Sequence, residues 1–277
     1  MGNLPNLIIF GIAKCGTSAI HDYLDLHPQI TMSKIKELSF FNSNRAWKRG
    51  INWYESNWPI RNDILGESSP SYTEDADWQE VPERIAHTLT DVKLIYMVRD
   101  PIDRIRSHYA NAYRKHLENR TFQEAIFSDP KNLFIDLSKY YKKILPFWNL
   151  FGQQSIYIVD LWDLKTNPRE TMQGVFRFLN VEDSFYSPKF ERSINNSSVK
   201  KREINIITAL RHFKNNTILS KIHFPLFLHK VNKIFFKRAV RLPELQSAER
   251  KILARYLEED IQKFRELSGK NFNHWSV

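Results

Sequence analysis

The segment near the start of the chain combines a short apolar run with a glycine-containing loop. Asn6–Phe10 is apolar and β-branched, and it is followed at once by the loop Gly11–Ser18 and then by apolar residues at helical spacing. This order predicts a strand, a loop and a helix, with the helix ending at His27-Pro28 because proline cannot continue it. The backbone N–H groups of such a loop and the N-terminus of the helix bind anions. The segment therefore predicts an α/β fold with an anion site.

Two later segments repeat the pattern of a buried strand followed by a helix. Val92–Val98 is an almost continuous apolar run that ends at Arg99-Asp100-Pro101, and a third strand is predicted at Ser155–Leu161 before the helix Glu170–Leu179. Strands that alternate with helices indicate a parallel sheet. We predict a three-layer, P-loop-like α/β fold with a central parallel sheet flanked by helices.

Length and composition agree with one folded domain. The chain has 277 residues, of which 42% are hydrophobic and 26% charged, and no Pro/Gly/Ser linker divides it, so residues 1–277 are expected to form a single domain. No stretch approaches the roughly 20 apolar residues that a membrane span needs. The single cysteine, Cys15, excludes an internal disulfide and is typical of a reducing compartment. A cytoplasmic location without a transmembrane segment is expected.

The positive charge is concentrated in one segment. The net charge is +10, and residues 204–243 hold eight Lys or Arg residues and no acid. The same segment contains several phenylalanines, among them Phe224 and Phe235, and it is expected to be helical. It is either a solvated basic helical face or a surface for an acidic acceptor, a membrane or a nucleic acid.

The glycine loop departs from that of nucleoside triphosphatases. Thr17 follows Gly16 where those enzymes have lysine, and the only lysine of the loop is Lys14. An ordinary ATPase or GTPase is therefore disfavoured. The histidines show no metal-ligand spacing and one cysteine cannot build a zinc site, so we expect no metal.

Several motifs together carry a family resemblance. Five segments carry it, in this order along the chain: Ile8–Ser18, Lys36–Phe41, Gly66–Tyr72, Val98–Tyr109 and Tyr141–Trp148. In this order, over about residues 6–202, they resemble the sulfotransferases that use 3′-phosphoadenosine 5′-phosphosulfate (PAPS) as donor. Within that family the resemblance is greatest to the heparan sulfate sulfotransferases and their bacterial relatives. It implies a sulfotransferase that releases 3′-phosphoadenosine 5′-phosphate (PAP).

The resemblance assigns the donor site. Lys14 is implied to stabilise the leaving phosphate, while Arg99 and Ser107 are implied to hold the 3′-phosphate. A loop near 195–202 is implied to contact the donor as well. The implied donor-binding residues are Lys14, Cys15, Gly16, Thr17, Ser18, Arg99, Ser107, Lys200, Lys201 and Arg202.

The resemblance also assigns the acceptor side, with Glu37 as the general base. The implied acceptor-binding residues are Glu37, Ser39, Phe40, Ser68, Ser69 and Tyr72. Saccharide-acting members commonly have lysine at the position of Ser68 and histidine at that of Ser39. These departures favour a small-molecule acceptor of the kind found in natural-product biosynthesis, while a saccharide or glycolipid acceptor stays open.

Two other classes of function are compatible with parts of the sequence. A nucleoside or small-molecule kinase would use the same loop for ATP, with Asp160 as the acid that holds magnesium. A non-enzymatic module would bind a polyanion through residues 204–243. For the sulfotransferase itself no nucleic-acid partner is expected, and the oligomeric state is left open.

Overall fold

A computed structural model describes most of the chain. The described residues are 3–42, 46–58, 62–191, 200–201, 239–240 and 242–277. Of residues 200–201 and 239–240 only the backbone is described; it forms a short antiparallel pair. The basic segment 204–243 therefore lies almost entirely outside the described residues, as do Arg202 and the side chains of Lys200 and Lys201.

A five-stranded parallel sheet forms the centre of the fold, with the strand order β2-β3-β1-β4-β5. The strands are β1 (Leu7–Gly11), β2 (Ile30–Met32), β3 (Ile64–Ser68), β4 (Lys93–Val98) and β5 (Ile156–Asp160). Every residue of β1 and β3 is buried, as expected for strands covered on both faces. The predicted α/β fold with a central parallel sheet is confirmed.

Helices flank this sheet. They are α1 (Thr17–Leu24), α2 (Ile51–Glu55), α3 (Val81–Thr88), α4 (Pro101–Arg114), α5 (Phe122–Phe127), α6 (Leu133–Asp136), α7 (Tyr140–Phe151), α8 (Leu161–Thr166), α9 (Pro168–Leu179) and α10 (Ser247–Ser268). Helix α10 packs against α7 and α4. Its buried residues Leu253, Leu257, Ile261 and Phe264 follow helical spacing. None of the helices in the described ranges is long and apolar enough to cross a membrane.

The strand order determines where the candidate site lies. Strand β1 runs parallel to β3 on one side and to β4 on the other, and β5 pairs with β4. The segments that follow these strands therefore begin at one edge of the sheet. In open α/β folds ligands bind at this carboxyl edge. Residues after Gly11, Ser68, Val98 and Asp160 are brought together there.

Candidate active site

The glycine loop adopts a backbone that requires its two glycines. Gly11 has φ +124°, and a Cβ there would lie 2.6 Å from the carbonyl oxygen of Met97. Gly16 has φ +94° at the N-cap of α1, and its Cβ would lie 2.6 Å from Cδ1 of Leu161. The loop is thus pressed against β4 and against the start of α8. Replacement of either glycine would move the loop.

Lys14 lies in this loop with φ +80°, a left-handed conformation that is rare for a side-chain-bearing residue. The N–H of the preceding residue, Ala13, donates to Oε1 of Glu74 at 2.5 Å. Burial raises the pKa of Glu74.

Cys15, the next residue of the loop, points away from the cleft, since its thiol is fully buried and lies 3.8 Å from the hydroxyl of Tyr140. Burial raises the pKa of this thiol to about 12, so it packs as a small apolar group.

A cleft of about 570 Å³ opens beside the loop, and it brings most of the predicted donor site together. Its walls include Lys14, the segment Gly16–Ser18, Arg99 and Ser107. Cys15 does not line it. The carboxyl edge of the sheet therefore combines a helix N-terminus, a lysine and an arginine in one cavity, which suits a ligand with two anionic ends.

Arg99 and Ser107 lie at the junction of β4 and α4. The guanidinium of Arg99 is 3.7 Å from the carboxylate of Asp103, one turn into α4. Asp100 has a different role, because its Oδ1 accepts the N–H of Asp103 and caps the helix. Ser107 is 3% exposed and lines the cleft. Arg99 is therefore not paired with the adjacent Asp100.

Glu37 reaches the cleft from the turn that follows β2. Both Glu37, with φ +60°, and Ser39, with φ +50°, have left-handed backbones, and the N–H of Glu37 donates to the carbonyl of Ser68 at 3.1 Å. The Glu37 side chain is exposed. None of the described residues forms an ion pair with it, Lys34 and Lys36 included. Strained backbone at several residues around one cleft is typical of functional sites.

A buried carboxylate holds this turn in place. Glu67 at the end of β3 is fully buried, and it accepts hydrogen bonds from the hydroxyls of Tyr54 at 2.6 Å, Tyr72 at 2.5 Å and Ser69 at 2.8 Å. The Ser69 oxygen in turn accepts the N–H of Ser39 at 3.0 Å. Burial raises the pKa of Glu67. The network connects the sheet to the turn that carries Glu37.

The structure divides the predicted acceptor residues into two groups. Glu37 and Ser39 line the cleft. The side chains of Phe40, Ser68, Ser69 and Tyr72 are buried behind its wall. Phe40 stacks on Tyr54 at a ring separation of 4.1 Å, and the Ser68 hydroxyl donates to the carbonyl of Thr17. These four support the site without facing it.

Several cleft residues were not predicted from the sequence. Glu74, His108, Asn111, Lys115 and Lys165 also line the cavity. His108 and Asn111 follow Ser107 on α4, and Lys115 comes directly after that helix. Asn111 and Lys115 are four residues apart, the spacing of side chains on one helical face. This spacing could have identified them. Lys165, on α8, has its pKa lowered by burial and then by Arg99.

Asp160, the acid that a kinase would need, is not available to the cleft. Its Oδ1 accepts the N–H of Trp162 at 2.9 Å, and its Oδ2 accepts the indole N–H of Trp275 at 2.7 Å and lies 2.8 Å from Nε2 of His274. The side chain is 1% exposed. Asp160 therefore caps α8 and anchors the segment that follows α10.

Known proteins resemble this chain over most of its length. A family model described as a sulfotransferase domain matches residues 4–232. Heparan sulfate glucosamine 3-O-sulfotransferase 5 of Mus musculus is 34% identical over an alignment of 191 residues that covers 64% of this chain and 54% of that protein. Bifunctional heparan sulfate N-deacetylase/N-sulfotransferase 2 of Homo sapiens is 32% identical over an alignment of 200 residues that covers 64% of this chain and 22% of that protein.

A solved structure supports the same assignment at the level of the fold. The sulfotransferase of Alicyclobacillus acidocaldarius superposes with a TM-score of 0.72 at 19% identity, and the match covers 99% of both chains. The matched regions span about half of the first curated relative and less than a quarter of the second. The family model nevertheless covers most of the chain, and its range includes the residues that line the cleft. The chain belongs to the sulfotransferase family.

Proposed function

We propose that this protein transfers a sulfuryl group from PAPS to a hydroxyl or amine of a small-molecule acceptor. The observation that carries the proposal is a single cleft that is lined by Lys14 and Gly16–Ser18 and also by Arg99 and Ser107. PAPS has a phosphosulfate at one end and a 3′-phosphate at the other, so it needs two separate anion sites. The lysine and helix N-terminus are candidates for one of these sites, and the arginine and serine are candidates for the other.

The chemical character of the two sites suits the two ends of PAPS. Thr17 and Ser18 open α1, where backbone N–H groups and the helix dipole favour an anion, and Lys14 adds a full positive charge. Arg99 supplies a guanidinium that can bind two phosphate oxygens at once, with the Ser107 hydroxyl beside it. We assign the first set to the phosphosulfate and the second to the 3′-phosphate.

The reaction breaks the bond between sulfur and the bridging phosphate oxygen and forms a bond between sulfur and the acceptor oxygen or nitrogen. The electron pair of the broken bond stays on the 5′-phosphate of PAP, where Lys14 offsets the added charge. The acceptor proton passes to the carboxylate of Glu37. An exposed carboxylate without an ion-pair partner among the described residues suits this role. General-base help of this kind contributes about 10²- to 10⁴-fold.

The acceptor is the finer part of the proposal. A small molecule is supported by Ser39 and Ser68, which replace the histidine and lysine common in saccharide-acting members, and neither position supplies a charge to the cleft. A saccharide is the second candidate, because the named mammalian relatives act on heparan sulfate. Sulfation of small phenols and amines, compared with that of glucosamine-containing oligosaccharides at equal PAPS, separates the two.

Calorimetric titration with PAP, beside ATP and 5′-AMP, tests the donor assignment. We expect binding of PAP that needs the 3′-phosphate and is lost in Arg99→Ala, while Arg255→Ala, which removes an exposed arginine of α10, leaves it unchanged. A preference for ATP with magnesium would instead support the kinase. Absence of binding to all three nucleotides would exclude the proposed function.

A further inference from the structure

Two side chains of α4 are joined one helical turn apart at the cleft. Nη1 of Arg104 lies 3.2 Å from Nδ1 of His108. Arg104 is fully buried, whereas His108 is half-buried and lines the cleft. A buried cation is thus in direct contact with a ring that faces the candidate donor site.

Arg104 is fixed from several sides. Its Nε donates to the hydroxyl of Ser138 at 2.6 Å, and its Nη2 donates to the carbonyl of Phe134 at 2.5 Å. In the part of the chain that the structure describes, no carboxylate forms an ion pair with it. The guanidinium therefore has one defined orientation, and its full charge acts on the ring of His108.

Hydrogen-bond chemistry then fixes the protonation of His108. A guanidinium has only donors, so Nδ1 of His108 must accept with its lone pair. The proton of the neutral ring consequently resides on Nε2. Burial lowers the pKa of His108 to about 3, with Arg104, Lys14 and Lys115 contributing in the same direction. A ring in this state is a hydrogen-bond donor at Nε2 and cannot act as a general base there.

The surroundings of the ring leave Nε2 for a ligand. Phe134 packs edge-on against the ring at 4.8 Å and restricts its rotation. Among the described residues, Arg104 is the hydrogen-bond partner of His108, and none bonds to Nε2. His108 lines the same cleft as Lys14, the proposed partner of the leaving phosphate, and as Ser18 at the start of α1. Its Nε2–H is therefore a donor within the cavity to which the phosphosulfate is assigned.

We propose that the Nε2–H of His108 donates a hydrogen bond to an oxygen of the sulfuryl group while that group is transferred. In this assignment His108 is a catalytic residue, and Arg104 is a positioning residue that fixes the ring and its tautomer. No proton moves at His108 during the step, since the acceptor proton goes to Glu37. The inference rests on the proposed function and deepens it.

Binding of PAPS and PAP by two variants of His108 tests the contact without knowledge of the acceptor. His108→Phe keeps the ring against Phe134 but removes the N–H, whereas His108→Gln keeps an amide N–H. We expect His108→Phe to weaken PAPS binding roughly 10- to 100-fold, with PAP binding unchanged, because PAP lacks the sulfuryl group. His108→Gln should recover part of the loss.

The outcomes separate the two proposals. Equal effects of His108→Phe on PAPS and PAP, or no effect on either, would overturn the assignment of His108 while leaving the donor site intact. If the wild-type protein binds neither nucleotide, the proposed function fails and the His108 contact fails with it.

Nitrogen-15 NMR of the histidine ring tests the role of Arg104. In the wild-type protein we expect the Nε2–H tautomer of His108 throughout the range from pH 5 to 8; an imidazolium or an Nδ1–H tautomer would overturn the inference. In Arg104→Met, checked for folding by circular dichroism, both tautomers should be populated. If that variant does not fold, the wild-type spectrum alone decides.

Discussion

The N–H of Ala13 donates to the carboxylate of Glu74 across 2.5 Å, directly before the left-handed residue Lys14. Glu74 thereby connects the short helical turn Pro70–Thr73 to the loop that is proposed to bind the phosphosulfate. A negative group inside an anion site opposes ligand binding, whereas the hydrogen bond that Glu74 accepts from Ala13 supports the shape of the loop.

Substitution of Glu74 separates its charge from its hydrogen bond. Glu74→Gln keeps an acceptor oxygen for Ala13, while Glu74→Ala removes it, and both remove the charge. We expect Glu74→Gln to bind PAP at least as tightly as the wild type, and Glu74→Ala to bind about 5- to 10-fold more weakly than Glu74→Gln, as for loss of one hydrogen bond. Calorimetry measures both; equal affinities of the two variants would show that the bond does not shape the loop.

Substitution of Gly16 tests the contact between the loop and α8. Gly16→Ala imposes a left-handed backbone on an alanine and also a clash of its Cβ with Leu161. Gly269→Ala imposes the left-handed backbone without a clash, because Gly269 has φ +65° and no atom lies within 4 Å of its Cβ position. We expect Gly269→Ala to lower the free energy of unfolding by about 1 kcal/mol. Gly16→Ala should lower it by more and also weaken PAP binding. Urea denaturation and calorimetry check both, and equal losses of stability would argue against a tight contact.

The strands that could be predicted are those with a continuous apolar sequence. β1, β4 and β5 lie within one residue of their predicted limits. β2 has only three residues, and β3 contains Gly66, Glu67 and Ser68, so neither has the composition of a buried strand. Tertiary pairing with β1, rather than local preference, makes β3 a strand.

More of the residues assigned to the donor than of those assigned to the acceptor line the cleft. Lys14, Arg99 and Ser107 lie in segments whose geometry follows from a strand that enters a helix, and all three line the cleft. The side chains of Ser69 and Tyr72 turn inward to Glu67, which no spacing in the sequence indicates. A strand end covered on both faces gives no sequence signal for which side chain faces the ligand.

Asp260 makes the stability of the fold depend on pH. Its carboxylate accepts the N–H groups of Tyr141 at 3.0 Å and Lys142 at 2.9 Å in the first turn of α7, and burial raises its pKa to about 6 from an ordinary 3.8. The folded state thus holds this proton more tightly than the unfolded state. The resulting stabilisation is complete below about pH 4 and is lost as the pH rises through 6.

Comparison with Asp260→Asn isolates this effect. Between pH 4 and 7 the free energy of unfolding of the wild type should fall relative to that of Asp260→Asn, by about 3 kcal/mol at most. Denaturant unfolding across that range measures the difference. Glu258→Gln, at an exposed position of α10, serves as the control. A difference between wild type and Asp260→Asn that is constant with pH would show that burial does not raise this pKa.

Lys14 and Glu37 should differ in their effect on the donor. Lys14 is proposed to carry charge beside the phosphosulfate, so Lys14→Ala should weaken PAP binding about 10- to 100-fold, as for a charged hydrogen bond, and also abolish transfer. Glu37 is proposed to act on the acceptor, so Glu37→Gln should abolish transfer while PAP affinity stays within about twofold of the wild type. Calorimetry measures the affinity for PAP. Transfer of label from PAPS to an acceptor that the wild type sulfates measures activity.

Lys36→Gln, next to Glu37, is the control for a change of charge on this turn. Equal losses of PAP affinity in Lys14→Ala and Glu37→Gln would contradict this division, since a base that acts only on the acceptor makes no contact with PAP.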